Sequence, residues 1–213
     1  MLTIPDTIDH ARRNFPEREA LSCGDVRLTY ASFYDRCRRL VGLMQDIGMQ
    51  PGDRIAVLAS NCHRFVEAFA ALPSGGFVIV PLNYRLAEAE LVAIIGDSGA
   101  RMVITDRDPG GLQGAVDRVL RWPAEFEVAL AAATPAVLGV GVQPLDLAAL
   151  FYTFVKREPL IRAMVTGTKP VRAYEDEPDK QALAFPAGVR ALACLAAAAA
   201  LGLGPVYWFA GRL

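Results

Sequence analysis

The fold is decided by residues 51–105, which read PGDRIAVLASNCHRFVEAFAALPSGGFVIVPLNYRLAEAELVAIIGDSGARMVIT. Three largely apolar runs in this stretch predict strands at 55–58, 77–80 and 102–105. A helix is predicted after the first run and another at 88–95. The inward positions of the first of these helices are Phe65, Ala68, Phe69 and Leu72. Apolar strands that alternate with amphipathic helices are typical of a parallel sheet with helices packed against it, so we expect an α/β fold.

The residues before this stretch predict a helix and a hairpin. Thr7 is the expected N-cap of the helix, which runs through Phe15. Two short apolar pieces at 20–21 and 26–28 flank the turn sequence CGD at 23–25. This arrangement predicts an antiparallel hairpin.

A second helix is predicted between Thr29, its expected N-cap, and Gly48, which ends it. Its apolar face carries Phe33, Cys37, Leu40, Val41 and Met44. Arg36, Arg38 and Arg39 lie off that face. Arginine clusters of this kind are usually solvated, so we predict a solvent-exposed helix face rather than an anion-binding site.

The sequence changes character near residue 153. Residues 106–123 predict a polar turn and a short helix, and LAALFYT at 147–153 predicts another buried strand. The following residues, 154–180, hold six basic and five acidic side chains without a clear period. We therefore expect a domain at 1–153 and a separate tail at 154–213.

The tail contains an uncharged segment, 191–211, which predicts an apolar helix. Its 21 residues are long enough to cross a bilayer, which takes about 20. Tyr207 and Trp208 suit a membrane interface, whereas Pro205 and the many alanines weaken a spanning helix. Three interpretations stay open: a frameshift product, a fused membrane anchor, and a segment that lies across the exposed face of the domain.

Composition excludes several function classes. The 22 basic and 23 acidic residues leave a net charge of −1, which argues against a nucleic-acid partner. Four cysteines without a C-x-x-C pair and two isolated histidines give no metal-site pattern. Residues 1–15 lack the apolar core of a secretory signal, which favours a cytoplasmic protein.

Short motifs in a fixed order run through the first hundred residues. They are LTY at 28–30, Gly48, PGDRIAVL at 51–58, Asn61, GG at 75–76, VPLN at 80–83, RL at 85–86, EL at 90–91 and DSGA at 97–100. Each motif alone is weakly specific. Their order and spacing resemble the N-terminal subdomain of the AMP-forming acyl-CoA synthetases, in the adenylate-forming superfamily. The resemblance covers residues 3–153.

The resemblance implies a chemistry and its cofactors. Family members join a carboxylic acid to ATP, release pyrophosphate and pass the acyl group to coenzyme A, so ATP, Mg, coenzyme A and an acid substrate are implied. In the family, a Ser/Thr/Gly-rich phosphate loop follows the strand that 147–153 resembles, and a lysine on a C-terminal lid is catalytic. Here FVKREP follows at 154–159, and no segment resembles the lid. We therefore expect a catalytically incomplete fragment that needs no cofactor by itself, and no catalytic residue is assigned.

Two weak sets of cofactor-binding candidates remain. Their members are Asn83 and Arg85 in one set and Thr166, Gly167, Thr168 and Lys169 in the other. Asn83 and Arg85 follow a predicted strand, where ligands of open α/β folds commonly lie. The structural alternative is that Asn83 satisfies a turn and Arg85 pairs with Glu88. The later set suits phosphate but has one glycine and no buried strand before it, so a surface turn is the preferred interpretation.

Three functions remain open at this point. The first is a truncated acyl-CoA synthetase. The second is a divergent ligase for fatty or aryl acids that works with a complementing chain or through Thr166–Lys169. The third is a membrane-tethered interaction module. A fragment without the subdomain that packs on it in the family would also expose an apolar face, so poor solubility or self-association is expected of it.

Overall fold

The computed structural model of the protein describes residues 3–152. The helices in this part are α1 (Ile4–Asn14), α2 (Tyr30–Asp46), α3 (His63–Ser74), α4 (Glu88–Ser98) and α5 (Ala124–Ala132), with a 3₁₀ helix at Gly110–Gly114. The strands are β1 (Glu19–Cys23), β2 (Val26–Thr29), β3 (Arg54–Leu58), β4 (Val78–Pro81), β5 (Ala100–Thr105) and β6 (Arg118–Arg121). The predicted tail at 154–213, with its apolar helix at 191–211, lies outside the described residues. Within residues 3–152, no helix is long and apolar enough to cross a membrane.

Four strands form a parallel sheet in the order β4-β3-β5-β6. Ile55 of β3 pairs with Ile79 on one side and with Met102 on the other. The central strands are buried on both faces, which is why they are continuous apolar runs in the sequence. β1 and β2 form a separate antiparallel hairpin whose turn contains Gly24 at a positive φ. The predicted parallel sheet and the predicted hairpin are both confirmed.

Helices cover both faces of the sheet. Ile55 and Val57 point into one hydrophobic cluster, which also contains side chains of α1, α2, α3 and α5. Ala56 and Leu58 point into the other cluster, which α4 and the 3₁₀ helix cover. The predicted apolar face of α2 is confirmed, because all five of its residues are buried: Phe33, Cys37, Leu40, Val41 and Met44.

The predicted cap of α1 is wrong, whereas the predicted cap of α2 is confirmed. Thr3, not Thr7, begins α1: its hydroxyl accepts a hydrogen bond from the Asp6 amide, and the Asp6 carboxylate accepts one from the Thr3 amide at 2.9 Å. This reciprocal pair satisfies two free amides of the first turn. Thr7 lies one turn inside the helix, where its hydroxyl donates to the Thr3 carbonyl. Thr29 caps α2 by accepting from the Ser32 amide at 3.2 Å.

The predicted solvated face of α2 is also wrong, and Arg36 shows why. Its guanidinium donates to both carboxylate oxygens of Glu67 on α3, at 2.7 and 3.0 Å. It also donates to both oxygens of Glu127 on α5, at 3.0 and 3.1 Å. Arg64 donates to Glu127 as well. We call these four residues the charge cluster; it joins three helices.

The charge cluster holds its two carboxylates in different states of burial. Glu67 is fully buried, and burial raises its pKa although Arg36 binds it. Glu127 is half-buried; burial opposes its ionisation, but hydrogen bonds from Arg36 and Arg64 lower its pKa. The charge of Glu67 therefore depends on Arg36.

The other two arginines of α2 bind the chain that follows α5. Arg38 donates from Nε to the Ala136 carbonyl at 2.7 Å, and Arg39 donates to the Ala133 carbonyl at 3.3 Å. This segment passes so close to α2 that the Thr134 carbonyl oxygen lies where a side chain at Gly42 would place its Cβ atom. The face is polar because it binds backbone carbonyls and carboxylates, not because it faces water.

The predicted buried strand at 147–153 is wrong for the described part of that range. The segment makes a single parallel bridge, at Ala149, with Ile79 of β4. The Ile79 carbonyl accepts from the Leu150 amide at 2.9 Å. Leu147 and Phe151 are 49% and 44% exposed, because the segment lies at the outer edge of β4.

Candidate functional site

The carboxyl ends of β3, β4, β5 and β6 lie along one edge of the sheet, which we call the carboxyl edge. The chain leaves β3 towards β4 on one side and later enters β5 on the other side of β3. The topological switch point therefore lies between β3 and β5. Open α/β sheets bind ligands outside the carboxyl ends of their strands at such a point. The residues that follow the four strands are thus the candidate site.

Ser60 and Asp106 meet at the switch point. Ser60 follows β3 and Asp106 follows β5. The backbone amide of Ser60 donates to Asp106 Oδ2 at 2.9 Å, and the Ser60 hydroxyl donates to the same oxygen. The two strand ends are tied together by one carboxylate oxygen.

Two buried polar atoms, in residues that follow β5 and β6, have no partner among residues 3–152. They are Asp106 Oδ1 and the indole Nε1 of Trp122, a residue that is 5% exposed. The backbone amide of Trp122 donates to the Thr105 carbonyl at 2.7 Å, so Trp122 lies beside the end of β5. Buried polar groups are hydrogen-bonded in the great majority of cases. Trp122 packs into the hydrophobic cluster with Phe126, and both unpaired atoms are buried, so neither counts among the exposed donors and acceptors of the carboxyl edge.

Asn83 and Arg85, the candidates predicted after β4, lie in the exposed loop at the carboxyl edge. Asn83 Oδ1 accepts from the Arg85 amide at 3.0 Å, as the structural alternative predicted. The predicted pair of Arg85 with Glu88 is wrong: the Glu88 carboxylate accepts from the Gly111 amide at 2.8 Å. The guanidinium of Arg85 is left at the exposed edge.

Arg107 also belongs to this edge and, like Ser60 and Asp106, was not among the site residues that the sequence predicted. Its guanidinium lies 4.9 Å from the centroid of the Tyr84 ring and donates to the Tyr84 carbonyl at 3.1 Å. Its amide donates to the Thr105 hydroxyl at 3.2 Å. Arg107 follows the strand predicted at 102–105 as Arg85 follows the strand predicted at 77–80, so the same rule applied to the later strand identifies it.

The carboxyl edge carries the guanidinium groups of Arg85 and Arg107 and one carboxylate, Asp106, whose Oδ2 accepts from the Ser60 amide and hydroxyl. Within the described part of the chain, no group of three or more His, Cys, Asp and Glu side chains could hold a metal ion. The other predicted candidates, Thr166, Gly167, Thr168 and Lys169, lie outside the described residues. The structure thus brings together Asn83, Arg85, Ser60, Asp106 and Arg107 and leaves the later set undescribed.

Comparisons with known proteins identify the family of the chain. Residues 8–153 match the model of the AMP-binding enzyme family. Feruloyl-CoA synthase of Amycolatopsis sp is 36% identical over 143 residues, which are 66% of this chain and 28% of that protein. Long-chain-fatty-acid–CoA ligase of Thermus thermophilus is 35% identical over 131 residues, 60% of this chain and 24% of that protein. The chain thus spans about a quarter of the length of these relatives.

A solved structure agrees with this match. The N-terminal domain of FACL13 from Mycobacterium tuberculosis superposes with a TM-score of 0.67 at 26% identity, over 72% of this chain and 42% of that one. The predicted resemblance to an N-terminal subdomain of adenylate-forming enzymes is confirmed. The chain belongs to the AMP-binding enzyme family.

Proposed function

We propose that residues 1–153 are the N-terminal part of an acyl-CoA synthetase, which joins a carboxylic acid to ATP and then to coenzyme A. The match of residues 8–153 to the family model carries this proposal. The named relatives act on feruloyl and long-chain fatty acyl groups, and both products are thioesters of coenzyme A. The acid is therefore proposed only as an aryl or fatty carboxylic acid. A cytoplasmic location belongs to the same proposal.

The carboxyl edge is the part of this domain proposed to face a phosphate-bearing ligand. ATP and coenzyme A, which the family implies, both carry phosphates. Guanidinium groups bind phosphate in two-pronged geometry, and the exposed Tyr84 ring beside Arg107 offers a flat surface. Asn83 shapes the loop that presents Arg85.

Binding of ATP and of coenzyme A to the full chain tests this site. Arg85→Ala and Arg107→Ala should each weaken the affinity of whichever ligand binds by about tenfold or more, since a hydrogen bond to a charged group contributes about 1.5–3 kcal/mol. Arg118→Ala is the matched control, because Arg118 is exposed at the opposite end of the sheet, as the first residue of β6. Titration calorimetry gives the three affinities. Equal losses in all three variants would contradict the site.

The chain by itself is proposed to lack adenylation activity, because FVKREP at 154–159 replaces the glycine-containing phosphate loop of the family. Preorganised donors supply much of the rate in such sites. We expect ATP–pyrophosphate exchange at background level with ferulic acid and with long-chain fatty acids. Exchange well above background that disappears in Lys169→Ala would instead establish the divergent ligase with a loop at 166–169. Exchange that needs a second polypeptide would establish the complementing-chain ligase.

A membrane-tethered interaction module is the second candidate; it rests on the length of the uncharged segment 191–211, which is enough to cross a bilayer. Exposed apolar side chains such as Val137 and Val140, which are 68% and 73% exposed, offer surface for self-association or for a protein partner. Carbonate extraction followed by ultracentrifugation tests the tether. A chain that stays in the supernatant, and whose molar mass from light scattering does not change with concentration, would exclude both the tether and self-association.

A further inference from the structure

An apolar surface crosses from α3 to the outer edge of the sheet. The rings of Phe65 and Phe69 lie 5.1 Å apart between centroids, and those of Phe69 and Phe151 lie 6.2 Å apart and stack. Phe65 and Phe69 are half-buried, whereas Phe151 and Leu147 are 44% and 49% exposed. We call these four residues the aromatic edge. Water reaches much of their apolar area.

The backbone beside the aromatic edge is also incompletely paired. Segment 147–151 bridges β4 only at Ala149, and no strand within residues 3–152 pairs with its outer side. An open strand edge next to exposed apolar side chains is a surface that natural proteins usually cover. Any segment that packs on the aromatic edge therefore comes from residues beyond 152 or from another molecule.

The chain continues directly from this surface. Phe151 lies two residues before Thr153, and 38 residues (153–190) separate the described part from the uncharged segment 191–211. Fully extended, 38 residues span about 130 Å, so the segment reaches any point of a domain of this size. A tether of this kind holds the segment at a local concentration in the millimolar range.

The composition of 191–211 favours protein over lipid as its surroundings. Seven of its first ten residues are alanine, which gains little from transfer into a bilayer. Pro205 interrupts a spanning helix but is tolerated on a protein surface. Docking within one chain avoids the entropy loss of joining two molecules, and the entropy of closing the loop grows slowly with its length.

We propose that residues 191–211 bind the aromatic edge and cover Leu147 and Phe151. The occupant is this segment of the same molecule, rather than a second copy or a lipid surface. The contact requires no catalytic activity of the chain.

A disulfide cross-link in the full chain tests the contact, because Cys194 lies in the proposed segment. In a Cys23→Ser, Cys62→Ser background that keeps the buried Cys37, a thiol introduced by Leu147→Cys should couple to Cys194 under diamide, which takes up the two electrons and two protons. Val128→Cys is the matched control, since Val128 is 74% exposed on α5, which packs against α2 and β6. We expect the intramolecular disulfide to form at least tenfold faster with Leu147→Cys.

Three results would overturn the proposal. Equal rates for the two introduced thiols would show no preferred contact. Cross-linking only between two molecules would make a second copy the occupant. Flotation of most of the chain with liposomes, with loss of the cross-link, would make a membrane the occupant. A second variant, Leu195→Asp with Leu201→Asp, should release the segment from the aromatic edge and raise the fluorescence of a dye that binds exposed apolar surface several-fold. Unchanged fluorescence would independently contradict binding of 191–211 to the aromatic edge.

Discussion

Arg36→Met is expected to lower the free energy of unfolding by about 3–5 kcal/mol at pH 7, because it leaves a buried carboxylate without its cation. Glu67 is fully buried and both of its oxygens bind Arg36. Glu127 keeps Arg64 as a partner. Urea denaturation followed by circular dichroism measures the change. Arg13→Met is the matched control and should cost less than about 1 kcal/mol, since Arg13 pairs with Asp9 while 69% exposed.

The loss of unfolding free energy caused by Arg36→Met should be larger at pH 7 than at pH 5. Burial raises the pKa of Glu67 above its usual value of 4.5. In a pH interval above 4.5, the Glu67 carboxyl is therefore protonated in the folded protein but ionised in the unfolded chain. The contribution of Glu67 to the free energy of unfolding therefore falls as the pH rises through this interval. Loss of Arg36 raises the pKa of Glu67 further, which extends the interval to higher pH. A deficit that is equal at both pH values would show that Glu67 is not the carboxylate responsible.

Gly42→Ala is expected to destabilise the protein by about 1–3 kcal/mol, although alanine is the better helix former. A Cβ atom at Gly42 would overlap the Thr134 carbonyl oxygen, and a backbone carbonyl cannot rotate away as a side chain can. The segment after α5 would have to move off α2. The hydrogen bond from Arg38 to Ala136 would be strained in the same movement.

Gly96→Ala is the matched control for this effect. Gly96 also lies inside a helix, α4, but a Cβ atom there would meet no neighbour within 4 Å. Alanine should therefore stabilise the protein by up to about 1 kcal/mol at this position. Thermal melts of the two variants should shift in opposite directions. A stabilised Gly42→Ala would contradict the close approach of the segment at Thr134.

Local patterns in the sequence predicted the parts of the fold that local physics controls. The strands of the sheet centre were found because burial on both faces leaves only apolar residues in them. Thr29 was found because an N-cap acts within three residues. The surroundings of Arg36 were missed, since Glu67 and Glu127 lie 31 and 91 residues away in the chain. An arginine that faces another helix has the same helical spacing as one that faces water.

The candidate site was predictable to the extent that its residues follow strands. Asn83 and Arg85 were located by the strand at 77–80, and the structure places them at the carboxyl edge. Ser60 and Asp106 could not be paired from the sequence, because 46 residues separate them and only the sheet order makes β3 and β5 neighbours. Strand order is a long-range property that periodicity does not carry.

The residues of the charge cluster are synthesised at different times. Glu127 follows Glu67 by 60 residues, so at about 5–20 residues per second the ribosome delivers it roughly 3–12 s later. During that interval α2 and α3 can already join through Arg36, while the part of α2 that binds α5 stays open to water. Until then, the Arg36 guanidinium binds Glu67 but not Glu127, and the face of α2 that contacts α5 remains exposed. In those seconds the exposed apolar surface of the nascent chain is accessible to chaperones and proteases.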